Sequence, residues 1–487
     1  MKKLIGPSIA LFLFSALPVP SLNAATFYIL PDSSGDAPTI QAGLDMCAEG
    51  DTVLVASGTY TENIVWPLID GLVLMSESGP EDTIIDGGGI ERVIACFEVD
   101  SLTVIEGFTI QHGYSYRGAG IGVEYSALTI KNNIIRENVV YDHPDWVDGG
   151  AGIGCLQSTA KIIDNLITHN SCSATGVNGG GGIGINAHSG PVVVTGNTIT
   201  DNYAMSGAGI IVTNASTPII SNNIIANNDA WRGGGGITTK SEAAANVFDN
   251  EISGNTGAEA GGGIRSVVGD MSIFTRNTVS GNTAPQGAGI YCNEGSQALI
   301  TQCQIVSNNG DGVTCSSYVT PVVNYNNIMD NSGYGLCNLY PTIIIDATMN
   351  YWGDASGPYH PTANPSGSGD EVSDYVDFEP WSTDIITGVV QHGLSERYGD
   401  LAAYPNPFNP QTTVTFSLPR SSWVDVSVFD LSGRLIDALA SKEFDAGSHA
   451  LIWDGRDRIG RFVPSATYLV RLETGERAEA KKVMLVR

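Results

Sequence analysis

Residues 197–255 read NTITDNYAMSGAGIIVTNASTPIISNNIIANNDAWRGGGGITTKSEAAANVFDNEISGN. Within them Asn-x-Ile-x-x-Asn occurs three times, as Asn197-Ile199-Asn202, Asn223-Ile225-Asn228 and Asn250-Ile252-Asn255. Each copy is followed, after a variable stretch, by a glycine-led Ile: Ile210, Ile237 and, just past the quoted stretch, Ile264. Working outward, the Asn pattern also opens at Asn133, Asn165, Asn277 and Asn326, with an altered copy at Cys303-Ile305-Asn308. From Asn133 to Asn326 the steps are 32, 32, 26, 27, 27, 26 and 23 residues. The Ile row runs from Ile121 through Ile153, Ile183 and Ile290 and is continued by Val313 and Leu336.

Between the two patterns lie short β-branched runs such as Leu128-Thr129-Ile130 and Val192-Val193-Val194. Runs this short cannot bury an apolar face alone, so the repeat must stack on its own copies. Stacked coils about 4.8 Å apart put Ile on Ile inside and Asn on Asn at a bend, where side-chain amides bond along a ladder. Leucine-rich repeats need leucines at fixed offsets and propeller blades are longer and more even; neither pattern is present. The expected fold is all-β: a right-handed parallel β-helix solenoid, about ten coils and roughly 50 Å long.

The opening Thr39-Ile40-Gln41-Ala42-Gly43, then Gly50–Val55 and Gly58-Thr59-Tyr60, resembles the cap and first coil of the pectin-lyase-like β-helix superfamily. The close, Asn350-Tyr351-Trp352-Gly353-Asp354 through Pro358 with Asp374–Trp381, resembles the end of such a stack. The resemblance covers residues 25–381 and implies a fold, not an activity. The Asp motifs of polygalacturonases and pectin methylesterases and the Arg motif of classical pectate lyases do not occur in the sequence.

Residues 382–402 read as a linker. Tyr404-Pro405-Asn406-Pro407-Phe408-Asn409-Pro410 then forces an extended entry. Alternating strands follow over 412–418, 424–429, 435–440, 449–453 and 468–472. With Val428–Arg434 and Lys481–Leu485, residues 403–487 resemble the Ig-like C-terminal domains that serve as type IX secretion sorting signals, and also the Ig-like part of flagellar hook-capping proteins. That resemblance implies a partner, the outer-membrane type IX machinery, and a secreted or cell-surface destination. The N-terminus fits the same route: Lys2 and Lys3, an apolar run Leu4–Leu17 and Leu22-Asn23-Ala24 read as a signal peptide over 1–24. The run is too short for a membrane span, so no transmembrane anchor is expected in the mature chain.

Net charge is −28. Residues 401–487 hold 11 Lys+Arg and 10 Asp+Glu, which leaves 12 basic and 41 acidic residues to the first 400. So acidic a body repels nucleic acid and anionic surfaces. All eight Cys precede the tail. Cys292 and Cys315 are placed to face each other in neighbouring coils, as a disulfide or as a thiol pair. Cys303 takes the place of a ladder Asn, near the outside of a bend.

The shortest coils need five residues from the second Asn to the Ile row, as in Asn308–Val313; others spend up to 15, as in Asn138–Ile153. The surplus is expected to form a ridge of loops, a common place for function on a rigid scaffold. The ridge contains Tyr114 and carries Tyr116, Arg117, Tyr141, Trp146, Tyr203, Trp231 and Arg232 as candidate ligand-binding residues. Rings that stack on sugar C–H faces beside charged groups suit a polysaccharide or another surface ligand. Two functions are open: glycan binding or adhesion without catalysis, and a polysaccharide lyase or glycoside hydrolase. For the second, Asp142, His143 and Asp145 are the catalytic candidates, since hydrolysis needs paired carboxylates and lysis a base. Asp142, Asp145 and Asp148 are also the candidate ligands for Ca²⁺, the only cofactor suggested, although their spacing fits no standard loop.

Overall fold

The computed structural model describes residues 24–387 except 142–147, 174–177 and 187, and most of 401–485. It divides into two units, one ending at Ile386 and one beginning at Thr387. The first is a parallel β-solenoid built of three long sheets, with 14, 11 and 11 strands among the described residues. Each coil contributes one short strand to each sheet, for example Val193–Thr195 to sheet A, Thr198–Thr200 to sheet B and Ile210–Val212 to sheet C. Strands pair with their copies one coil away, in parallel and in register: Ile121 with Ile153, Ile183 with Ile210, and Val313 with Leu336. The Ile row is therefore a column of side chains with no solvent exposure, pressed against a second column that includes Ile135, Ile167, Ile199 and Ile225. Fully burying each is worth about 1.5–3 kcal/mol, so a coil gains its stability from the coils above and below it.

The Asn residues form two hydrogen-bonded ladders at the bends flanking sheet B, the second unbroken and the first with Cys303 in place of one rung. In the second, Asn202 Nδ2 donates to Asn228 Oδ1 and Asn228 Nδ2 to Asn255 Oδ1, each over 3.0 Å. The other Nδ2 proton goes to a backbone carbonyl further inside, such as Ile199 O for Asn228. The ladder ends on Asp370, whose carboxylate accepts from Asn331 N and Nδ2. Left-handed φ is carried by the residue before each ladder Asn, as at Asn227 (55°) and Glu137 (55°); the ladder residue contributes its amide. The glycines before the Ile row serve close approach: a β-carbon at Gly152 would lie 2.8 Å from Gly182 O. Cys303 is fully buried within the first ladder and not near the outside of the bend, because its side chain occupies the inward position of the Asn it replaces. Cys292 and Cys315 do face each other in register, as thiols, and all eight cysteines are buried.

Cap helix Ile40–Met46 closes the N-terminal end, with Thr39 Oγ1 accepting from Ala42 N. At the other end Trp352 is fully buried. Residues 382–386 are tied back to the last coils: Ser382 N donates to Asn350 O, and Asn327 exchanges two hydrogen bonds with the backbone of Ile386. No described helix is long and apolar enough to cross a membrane.

The second unit has a three-stranded and a four-stranded antiparallel sheet. Strands Thr412–Leu418, Ser422–Asp430, Leu435–Phe444, Gly447–Trp453, Ala466–Thr474 and Ala478–Leu485 supply one shared core around Trp453, Phe408 and Val426.

Candidate functional site

Among the described residues, the base of the ridge forms a fourth sheet. After the second ladder Asn, successive coils add short strands Tyr114–Ser115, Val139–Val140, Ser171–Cys172, Tyr203–Ser206, Asp229–Gly233 and Thr256–Gly257, which pair in parallel as a six-stranded flange. Its inner face is made of small residues, Val140, Cys172, Ala204 and Ala230, packed on Ala119, Ala151 and Ala208. Small side chains let the returning chain lie flat on the outer face of sheet C, where Gly154 and Gly184 leave room for its backbone.

The flange starts at Tyr114–Ser115; the coil before it has no strand in this sheet. The step creates a cleft of about 460 Å³. Asn63–Val65 and Ile90–Arg92 lie on the side of the earlier coils, and Tyr114, Tyr116 and Tyr141 on the side of the flange. Tyr114 and Tyr141, from neighbouring coils, stack with centroids 4.8 Å apart and planes at 28°. Their backbones are fixed by Tyr114 N donating to Glu91 O and Tyr141 N to Ser115 O. The Arg92 guanidinium pairs with Glu124 at 2.8 Å and donates from Nε to Arg117 O, also at 2.8 Å. Tyr116 lies between two guanidiniums, with Arg92 Cζ 5.8 Å and Arg117 Cζ 5.9 Å from its ring centroid.

Of the residues singled out in the sequence, Tyr116 and Tyr141 meet in this cleft, and Tyr114 joins them. Arg117 is 7% exposed, lying beneath Gly149 and Gly154 with its Nη1 3.9 Å from Glu124. It supports Tyr116 and Glu124 from behind rather than facing the opening. Tyr203 is three strands along the flange from Tyr114 and Trp231 four, roughly 14 and 19 Å away, so they do not share the cleft. Both are exposed, and Arg232 pairs with Glu259 at 3.3 Å. Asp142, His143, Asp145 and Trp146 lie outside the described residues, as does the side chain of Asp148. Among the described residues no group of three or more His, Cys, Asp or Glu is placed to hold a metal ion.

Two cleft residues, Arg92 and Glu124, were not singled out in the sequence. Arg92 belongs to the coil before the ridge, and Glu124 ends a sheet C strand, so neither shares the ridge offset. Beside the cleft, His112 bridges Asp86 (2.8 Å) and Glu137 (3.0 Å). The hydrogen bond to Asp86 leads in raising the His112 pKa, against the opposing effect of burial. Burial pushes Asp86 up, but hydrogen bonds from Gln111, Gly88 and His112 outweigh it and hold the carboxyl below its usual value.

A right-handed β-helix family matches residues 92–269 and 258–340, about half of the chain, and the protein belongs to that family. A secretion system C-terminal sorting domain matches residues 402–486. With this type IX sorting tail the protein is a secreted or cell-surface protein associated with that secretion system. No curated protein sequence matches the chain. Among solved structures, the chain is similar to PorZ, a surface component of the type IX secretion system of Porphyromonas gingivalis, at 22% identity over 18% of this chain (TM-score 0.14). The chain spans only 11% of PorZ's length. It is also similar to XylC in complex with xylose, at 10% identity over 94% of this chain and 100% of that one (TM-score 0.28). A third likeness is to the A-module of the mannuronan C-5 epimerase AlgE4 of Azotobacter vinelandii, at 12% identity over 59% of this chain and 87% of that module (TM-score 0.25).

Proposed function

We propose that the protein is an exported surface protein that binds glycans, without cleaving them, in the cleft where the flange begins. The carrying observation is the set of three tyrosines, Tyr114, Tyr116 and Tyr141, beside the Arg92–Glu124 pair. Stacked phenol rings offer flat apolar faces for sugar C–H groups, while the ion pair and phenol hydroxyls offer donors and acceptors for sugar hydroxyls. The rings are held by backbone pairing on a rigid stack, so binding orders few side chains. The catalytic alternative requires a pair of groups facing a scissile bond, and in the described cleft Glu124 is already bonded to Arg92. The signal peptide read at 1–24 supplies the first export step in this proposal, and the tail the second.

The test is a polysaccharide array probed with the purified chain, with and without Ca²⁺, reading both retention and new reducing ends or unsaturated products. Retention that the Tyr114→Ala/Tyr141→Ala double variant loses by about tenfold or more supports the reading, since two aromatic contacts of about 0.5–1.5 kcal/mol each are removed. Product formation overturns it in favour of the lyase or hydrolase. Retention that requires Ca²⁺ would bring the Asp142–Asp148 segment into the site.

A further inference from the structure

The cleft is a dead end along the solenoid axis. On the side of the earlier coils the outer face of sheet C is open, with Val65 exposed and Ala95 half-buried. In the next coils that face is covered. A β-carbon at Gly122 would lie 2.7 Å from Arg92 Nη1, one at Gly154 would lie 2.9 Å from Gly118 N, and one at Gly184 would meet the backbone of Gly149 and Gly150. The open floor thus stops where Arg92, held by Glu124 and by Arg117 O, crosses it. A chain lying on this floor runs into Arg92 and Tyr116 within one coil, about 5 Å.

The charges are equally selective. Glu91, Arg92 and Glu124 line the cleft, and the one cation among them is already paired at 2.8 Å. Among the described residues, a carboxylated sugar would meet two carboxylates and no unpaired guanidinium, in a body whose first 400 residues hold 41 acidic and 12 basic residues. Resting on the glycan-binding reading above, we propose that the cleft takes the terminal, uncharged residue of a glycan chain and excludes both internal segments and uronate sugars. A volume of 460 Å³, near the lower end of the usual range for ligand pockets, suits one or two sugar units.

The experiment is calorimetric titration of the full chain with neutral oligosaccharides of glucose, mannose and xylose from one to six units. The same hexasaccharides blocked at one or both ends and a hexagalacturonate complete the set. Affinity should level off by about two units, fall about tenfold or more when one particular end is blocked, and be absent for hexagalacturonate. Tyr114→Ala should lower it about two- to tenfold, Tyr114→Phe should keep most of it, and Trp231→Ala, four strands away, should leave it unchanged. Equal binding of a hexasaccharide blocked at both ends, affinity that keeps rising to six units, or preference for hexagalacturonate overturns the terminal-residue proposal while leaving glycan binding intact. Silence from every probe instead removes the glycan reading itself, and this inference with it.

Discussion

Replacing Asn255 by Ala cuts the second ladder in the middle, and the structure gives the size of the effect. The Asn255 side chain donates to Ile225 O at 2.8 Å and Asn282 Oδ1 at 3.0 Å, and accepts from Asn228 N and Nδ2, both at 3.0 Å. The site has no solvent exposure, so water does not replace what is lost. Asn228 N and one Asn228 Nδ2 proton are left without partners, at about 1–3 kcal/mol each, while Ile225 O keeps its place in the strand ladder and loses only the side-chain donor. The sum is roughly 2–6 kcal/mol, a large share of a typical domain's 5–15 kcal/mol. A stack is stabilised coil by coil, so the loss should appear locally. Hydrogen–deuterium exchange of peptides covering 223–282 should speed up by about 30-fold to 10⁴-fold, the factor that energy implies. Asn246→Ala, on the exposed outer face of sheet A, is the control and should change exchange less than about threefold. Equal protection in the two variants would refute the view that the amides, rather than the Ile columns alone, hold the bends.

The altered rung provides the opposite test. The Cys303 thiol reaches Phe274 O at 3.5 Å and Thr301 O at 3.4 Å and takes weak hydrogen bonds from Asn277, so Cys303→Asn should complete the ladder with stronger amide bonds and raise stability by about 1 kcal/mol in urea melts. Buried Asp270 receives hydrogen bonds from Ser266, Ser272 and Thr239, yet burial leads and raises its pKa. Its contribution to stability is therefore full below the ordinary value of 3.8 and is lost as pH rises through the raised value. Asp270→Asn should flatten that part of the stability–pH curve, and an unchanged curve would discount the buried carboxyl. Deleting residues 402–487 should leave the protein inside the cell envelope, read by fractionation and surface labelling; normal surface display would detach export from the tail.

The solenoid is legible in the sequence because each coil repeats the same chemistry: one Ile column, two Asn rungs and one glycine, at spacings that only stacking explains. The flange is less legible. Its signal is present in Val139-Val140, Ser171-Cys172, Tyr203-Ala204 and Asp229-Ala230, each directly after a ladder Asn with the small or apolar residue second. The unequal lengths that follow, up to 15 residues in Asn138–Ile153, hide that register and make the segments resemble loops. The cleft divides in the same way. Tyr116 and Tyr141 share the ridge offset and can be found from it, whereas Arg92 reaches in from an earlier coil and Glu124 across a strand end. No local pattern marks such contacts between coils, and Arg117, equally conspicuous in the sequence, proves to be buried. The sorting tail is recognisable from short motifs because a tag read by an export machine must carry its signal in the tag itself.

The direction of the Asn ladder has a consequence for how this chain can change length. In the second ladder each Asn passes one Nδ2 proton to the next rung toward the C-terminal end and accepts from the rung before, and Asp370 closes the series as a pure acceptor. A duplicated coil inserted between two rungs therefore presents the same donor and acceptor as the coil it joins, and neither end needs redesign. The solenoid behaves as an adjustable ruler: each added coil moves the flange-edge cleft about 4.8 Å further from the solenoid's C-terminal end while leaving the cleft itself untouched.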